Sequence, residues 1–167
     1  ILGGGYDAVG VEQQALDEDA ARAAILKLQD QVSAFAISSL FGTRNSSHEM
    51  RLKALVIELT DMPVICGNEL ASSLGAPRRA LTAALNARMV PPIKELIRSV
   101  LKVMDQHKID APLMIVKGDG SLASLDNAIE KPISTVLSGP AASVIGACQL
   151  SGLQNAIVAD MGGTTTD

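Results

Sequence analysis

Short apolar runs punctuate the chain at residues 32–38 (VSAFAIS), 63–66 (PVIC), 112–117 (PLMIVK) and 156–160 (AIVAD), with helix-patterned stretches between them. Runs this short are too brief to cross a membrane and have the length of buried strands. Helices between buried strands are the signature of parallel pairing, because a parallel neighbour needs a long crossover. The spacing predicts an α/β chain, with mostly parallel strands and flanking helices.

The segments between the runs carry their own start and stop signals. Asp17 can cap a helix over 18–30, with Ala21, Ile25 and Leu28 on one stripe. Ser46 followed by Glu49 has capping-box spacing and predicts a helix over 47–60, its core face formed by Met50, Leu52, Leu55, Val56 and Leu59. A helix over 78–89 is expected to break at Pro91-Pro92. A second then starts, with Ile93, Leu96, Ile97, Val100, Leu101 and Met104 at helical spacing. A short helix is expected at 125–130. Ser138 can cap another, with Pro140 in its first turn and Gly152 ending it near 150. Residues 1–16, with Gly3-Gly4-Gly5, read as an entry loop, and 41–47 (FGTRNSS) as a second loop. A helix-rich α/β part over 1–110 and the start of a second lobe over 111–167 are the expected subdivision.

Composition removes several function classes. Of the 167 residues 47% are hydrophobic, enough for a folded core, but only Tyr6, Phe35 and Phe41 are aromatic. That argues against base-stacking or sugar-stacking surfaces. The net charge is −4 and no basic cluster exceeds Arg78-Arg79, so no nucleic-acid partner is expected. No signal peptide or membrane span is visible. Cys66 and Cys148 form no C-x-x-C pair; they read as reduced core thiols of a cytoplasmic protein, with no zinc site. The chain starts at Ile1 and stops inside a motif at Asp167, so it is expected to be an internal piece of a longer polypeptide.

That motif, residues 160–167 (DMGGTTTD), carries the most chemistry. An apolar strand is expected to deliver Asp160 at its C-terminal end. Gly162 and Gly163 permit a tight turn whose amides face outward, and with the hydroxyls of Thr164 and Thr166 they can cradle phosphate oxygens. A carboxylate beside phosphate suits Mg²⁺ held through water. The competing reading is an ordinary hairpin turn with two glycines. Residues 137–147 (LSGPAASVIGA) form a helix poor in bulk, where Gly139, Ala142, Ser143, Gly146 and Ala147 would let another backbone approach, as at a hinge, or would simply pack tightly.

A small-residue helix, an apolar strand and then D-x-GG-T-x-T-D resembles the actin-like ATPase superfamily. There, two ribonuclease-H-like lobes close on ATP. A closer resemblance is to the hydantoinase A/5-oxoprolinase/acetone carboxylase subunit family. It is carried by GGGYD at 3–7, LDEDAAR at 16–22, FAIS through NSSHEMR at 35–51, RRALTAALNARMVPP at 78–92, MIVKGDGSL at 114–122 and PISTVLSGPAASVIGA at 132–147. The chain departs from the family at Ser121, Ala142 and Ser143, where glycines are frequent.

The resemblance implies a ribonuclease-H-like (actin-like ATPase) layer, with ATP and Mg²⁺ as cofactors. It implies ATP-dependent opening of a cyclic amide such as a hydantoin or 5-oxoproline. Gly162, Gly163, Thr164, Thr166 and Gly139 would serve as cofactor-binding positions. Asp160 would organise Mg²⁺ or the attacking water. A second subunit or a homo-oligomer is the implied partner. A ketone- or bicarbonate-phosphorylating carboxylase subunit, or a non-catalytic nucleotide sensor, are the alternatives. The isolated chain, with one phosphate turn, is expected not to hydrolyse ATP.

The remaining polar candidates are read more plainly. His48-Glu49 lacks an H-E-x-x-H pattern and reads as helix capping and surface polarity. His107 reads as a solvated residue at a helix end. Arg79 with Thr82 reads as a surface, substrate or subunit position. Asp119 follows an apolar run, where open α/β sheets place functional groups, and is a candidate for the active cleft.

Overall fold

The computed structural model describes residues 1–153, 155–164 and 166, and they divide into two compact units, Ile1–Met89 and Val90–Asp167. The chain is α/β, but only one of its three strand pairs is parallel, which corrects the expectation of mostly parallel strands. The physical reason is local. The other two pairs are hairpins closed by tight Asp/Gly turns, and only β3 and β4 have a crossover helix between them.

In the first unit, β1 (Gly5–Tyr6) and β2 (Glu12–Gln14) pair antiparallel, where the expectation was an entry loop. Asp7 closes the turn: its Oδ1 accepts from the amides of Val9 (3.0 Å) and Val11 (2.9 Å). Gly10 at φ 92° supplies the left-handed residue. Helix α1 (Glu18–Leu28) starts as expected, with Asp17 Oδ1 accepting from Ala20 N at 2.9 Å. Ala21 and Ile25 are buried, while Leu28 stays exposed.

Helix α2 (Ser47–Leu59) buries Leu55 and Val56 against α1, and Phe35, Ile37, Leu52, Leu59 and Val64 complete that core. The expected capping box is absent: Ser46 makes no side-chain cap bond, and Glu49 turns inward. Of the 32–38 run only β3 (Phe35–Ile37) is strand. It pairs in parallel with β4 (Val64–Cys66), Phe35 opposite Val64 and Ile37 opposite Cys66. Val32 is exposed and unladdered. The short helix α3 (Gly67–Leu70) follows directly, and here a capping box does form, between Cys66 and Glu69. Bidentate contacts from Arg51 to Glu18 and from Arg22 to Glu58 tie the exposed flanks of α1 and α2, and each guanidinium holds its carboxylate partner below the usual range.

Helix α4 (Ala76–Gln106) runs through Pro91 and Pro92, correcting the expected break. Proline's φ is compatible with a helix; its cost is the missing N–H and the crowding of the carbonyl four residues back. Here that concerns the carbonyls of Ala87 and Arg88, and the neighbouring Ala87 and Val90 are buried, so packing outweighs the lost bonds. The buried stripe is Arg79, Ala83, Asn86, Ala87, Val90 and Ile97. Of the face expected beyond the prolines, Leu96 and Leu101 are exposed.

In the second unit, β5 (Ile115–Val116) and β6 (Leu122–Ala123) form an antiparallel hairpin. Helix α5 (Leu125–Glu130) starts at Ser124, whose hydroxyl accepts from Asn127 N. A 3₁₀ turn over Pro132–Thr135 leads to α6 (Ser138–Ser151). Leu137, at φ 61°, is the N-cap, so Ser138 lies inside the helix rather than capping it; Gly152, at φ 70°, ends it as expected. No residue of α6 is buried.

The expected strand over 156–160 does not form: those residues have no ladder, and Ile157 is fully exposed. An apolar run becomes a strand only where a neighbour takes its hydrogen bonds, and none of the described residues is placed to do so. Among the described residues no helix is long and apolar enough to cross a membrane.

Candidate functional site

The 160–166 segment reverses direction. Met161 and Thr166 pair in an isolated antiparallel bridge, with Gly162, Gly163 and Thr164 between them. Asp160 immediately precedes this turn. It is delivered by an exposed extended segment, not by the buried strand expected. Thr165 and Asp167 lie outside the described residues. A Cβ added at Gly163 would meet no atom within 4 Å, and no left-handed φ requires glycine there. Met161, Gly162, Gly163 and Thr164 are all exposed.

Helix α6 holds this turn through one bond: Ser143 Oγ donates to Asp160 Oδ2 at 2.5 Å. Ser143 and Gly139 are four residues apart and so share a face of α6. Gly139, in the first turn of the helix, also has open space where a Cβ would be. The fold therefore gathers Asp160, Gly162, Gly163, Thr164 and Thr166 in one turn, and ties Asp160 to the α6 face that carries Gly139.

The donor set suits a hydrated Mg²⁺ beside phosphate. Among the described residues no three His, Cys, Asp or Glu side chains cluster, and Asp160 is the carboxylate that directly precedes the exposed Gly162, Gly163 and Thr164. Mg²⁺ keeps several waters and takes one or two carboxylates plus substrate phosphates, rather than a full protein cage.

Asp119 is not brought to Asp160 by any bond. Its carboxylate serves its own turn: Oδ1 accepts from Ser121 N (2.9 Å) and Ser121 Oγ (2.7 Å), and Oδ2 faces Lys117 Nζ at 3.4 Å. The Ser121 hydroxyl, then its amide and Lys117, hold the Asp119 pKa down at about 2. The turn is wedged in place. A Cβ on Gly120 would overlap Ile145 Cδ1 of α6, and one on Gly118 would overlap the Val136 carbonyl oxygen. Thus α6 is the seat of both turns, through Ile145 for one and Ser143 for the other.

The first unit holds a polar network that the sequence reading placed at the surface. Glu49 is fully buried, and its Oε1 accepts from Ser39 N (2.8 Å) and Ser39 Oγ (3.0 Å), while Oε2 accepts from Asn68 N (3.0 Å). Arg79 is also fully buried and donates to the carbonyls of Ser73 and Ser39, the latter at 2.6 Å. Both side chains therefore grip Ser39, Glu49 at its amide and hydroxyl and Arg79 at its carbonyl. Asn68 also lines a cleft of about 330 Å³, together with Gly42, Thr43, Arg44, Ser46 and Ser72.

His48 is buried too; its Nε2 lies 2.7 Å from Glu12 Oε1, and its ring packs on Tyr6 at 4.3 Å between centroids. These corrections share a cause: a charged residue is buried only when distant loops satisfy it, and that is tertiary information. A signal did exist at Gly42, where any Cβ would overlap the Glu49 carboxylate. Cys66 is a core thiol as expected, with burial pushing its pKa up to about 12, whereas Cys148 is only half-buried. His107 is exposed just past α4, and Thr82 Oγ1 donates to the Arg78 carbonyl one turn back.

Comparison with known proteins joins these features. The family model described as Hydantoinase/oxoprolinase matches residues 79–167, and the Hydantoinase/oxoprolinase N-terminal region matches residues 1–60. The caprolactamase subunit alpha of Pseudomonas jessenii is 34% identical over 99% of this chain, which spans 25% of that relative. 5-Oxoprolinase 1 of Arabidopsis thaliana is 32% identical over 81% of this chain and 11% of its own length. The acetophenone carboxylase gamma subunit of Aromatoleum aromaticum is 24% identical over 96% of this chain and 23% of its own. The crystal structure of ATP-dependent caprolactamase from Pseudomonas jessenii superposes with a TM-score of 0.87 at 32% identity, over 99% of this chain and 25% of that one. Nucleotide-free acetone carboxylase shares the fold, with a TM-score of 0.82 at 22% identity over 99% of this chain and 24% of that one. The chain thus spans a quarter or less of the curated relatives it matches.

Proposed function

The chain belongs to the hydantoinase/oxoprolinase family, and on that premise we propose that it is part of a longer ATP-dependent hydrolase of cyclic amides, to which it contributes one phosphate-binding turn. The observation that carries the reading is the open turn over Gly162, Gly163 and Thr164, closed by the Met161–Thr166 bridge directly after Asp160. An actin-like, ribonuclease-H-like arrangement of the whole protein goes with this reading. So does a partner subunit, since two of the relatives are named as subunits.

Bound ATP would supply a phosphoryl group to the amide oxygen, which would make the carbonyl carbon a better electrophile for water; the ring C–N bond then breaks, the nitrogen leaves as the amine, and phosphate is released as the acid forms. The chain's own residues would act by position and charge. The amides of Gly162 and Gly163 and the hydroxyls of Thr164 and Thr166 would donate to phosphate oxygens. Asp160 would hold Mg²⁺ through its waters or orient the water that attacks. The open space at Gly139 would let a phosphate or a second backbone approach the first turn of α6.

The experiment is ADP release by the full-length protein with hydantoin, 5-oxoproline, caprolactam or acetone as stimulant, for wild type and Asp160→Ala. Stimulation by a cyclic amide, abolished in Asp160→Ala, is the expected result. Stimulation by acetone alone would favour the carboxylase reading that the acetophenone carboxylase relative suggests. Nucleotide binding without any stimulated turnover would refute the hydrolase reading.

A further inference from the structure

We infer that Ser143 is the positioning residue of Asp160: a hydroxyl built into α6 fixes the carboxylate beside the phosphate turn. Asp160 has little else to hold it. It follows a segment without ladder bonds, its flanking residues Ala159 and Met161 are exposed, and the next backbone bridge begins only at Met161. Ser143 sits on a regular helix, so its Cβ direction is set by backbone that does not depend on the turn.

The residue type adds to the case. A helix interior would accept alanine more readily than serine, yet α6 carries a serine here. A mid-helix serine ordinarily donates to the carbonyl four residues back. This one donates instead to Asp160 Oδ2, at 2.5 Å and across a sequence separation of 17. The bond engages Oδ2; among the described residues Oδ1 accepts no hydrogen bond, which leaves it for a hydrated cation.

This inference rests on the proposed role of Asp160, and the test separates the two. In the full-length protein, Mg²⁺ is titrated at saturating ATP and cyclic amide. Ser143→Ala should raise the Mg²⁺ concentration for half-maximal turnover about tenfold, the usual loss when a group supporting a metal ligand is removed. Turnover at saturating Mg²⁺ should change little. Ser143→Thr, which keeps the hydroxyl, should restore the wild-type value to within about twofold.

A readout without turnover is Mn²⁺ broadening of the Gly162 and Gly163 amide resonances, which in Ser143→Ala should need about tenfold more Mn²⁺. A purely structural serine would leave both titrations unmoved in Ser143→Ala, and that result overturns the inference. So does a Thr variant as impaired as the Ala variant. If Asp160→Asn retains wild-type Mg²⁺ dependence, the reading of Asp160 itself falls. If Asp160→Asn is inactive and Ser143→Ala behaves as wild type, only the role of Ser143 falls.

Discussion

Glu49→Gln asks whether a buried carboxylate holds the first unit together. The two side chains have nearly the same volume, so no cavity opens. The carboxylate accepts three bonds, two from Ser39 and one from the Asn68 amide. A glutamine turned either way presents its NH₂ to a backbone N–H, that of Ser39 or that of Asn68. One buried donor is left unsatisfied, at a cost of about 1–3 kcal/mol. The surviving bonds also lose the charge assistance that makes them about twice as strong as neutral ones. Against this, a neutral amide costs less to bury than an ion.

The net expectation is a loss of about 2 kcal/mol for Glu49→Gln and about 4 kcal/mol for Glu49→Ala, which removes all three acceptors and opens a void. Tyr6 is the only tyrosine, there is no tryptophan, and Tyr6 packs on His48 within the same unit, so its fluorescence reports on this unit alone. With a urea slope of about 1 kcal/mol/M, the Gln variant should lower the midpoint by about 2 M. Ser39→Ala, which removes one hydroxyl, should cost about 1 kcal/mol in wild type and nothing further in Glu49→Ala. A Gln variant as stable as wild type, at unchanged slope, would show that relief of desolvation outweighs the bonds, and would refute the reasoning.

Other perturbations have equally definite expectations. Arg79→Lys should destabilise the first unit by about 3 kcal/mol in the same urea assay, because lysine lacks the planar fork whose two nitrogens separately bond the Ser73 and Ser39 carbonyls. Iodoacetamide at about pH 8 should label Cys148 in the native chain and Cys66 only in urea, as read by mass spectrometry. The sign follows from linkage. The native Cys66 thiol keeps its proton up to about 12, so its contribution is intact below the ordinary thiol value of about 8.5 and is lost as pH rises from there through about 12. Asp119 has the opposite sign: its contribution is present above the ordinary value of about 3.9 and is lost as pH falls through about 2. Carboxyl ¹³C titration should show that low midpoint in wild type, and a shift towards the ordinary value in Ser121→Ala.

Local signals made much of this fold readable. Asp17 caps α1, the Leu55–Val56 face buries as its spacing implies, Gly152 ends α6, and the parallel β3–β4 pair follows from two apolar runs around a helix. The failures lie where a distant partner decides. Pro91 and Pro92 stay in α4 because their neighbours are buried. The 156–160 run is no strand because it lacks a ladder partner among the described residues. Glu49 and Arg79 are interior because Ser39, Asn68 and Ser73 come to them from other segments of the chain. The candidate turn was legible because its chemistry is contiguous, Asp160 through Thr166; the Ser143 bond was not, since it joins α6 to a residue 17 positions on.

The two polar constellations differ in what their removal should disturb. Glu49 and Arg79 are wholly shielded, with their charges spent on backbone groups of their own unit, so their loss leaves buried groups unpaired and acts through stability. Asp160, Gly162, Gly163 and Thr164 are exposed, and among the described residues one hydroxyl bonds the carboxylate. Removing an exposed group costs the fold little. A substitution in this turn that abolishes phosphate or Mg²⁺ binding while leaving the unfolding midpoint in place therefore marks a binding group. Asp119 shows why exposure alone does not suffice: it is as exposed as Asp160, yet both of its oxygens are engaged by Ser121 and Lys117 within its own turn. What distinguishes Asp160 is an exposed carboxylate with one oxygen fixed from a neighbouring helix and the other without a hydrogen bond among the described residues, directly before an exposed turn.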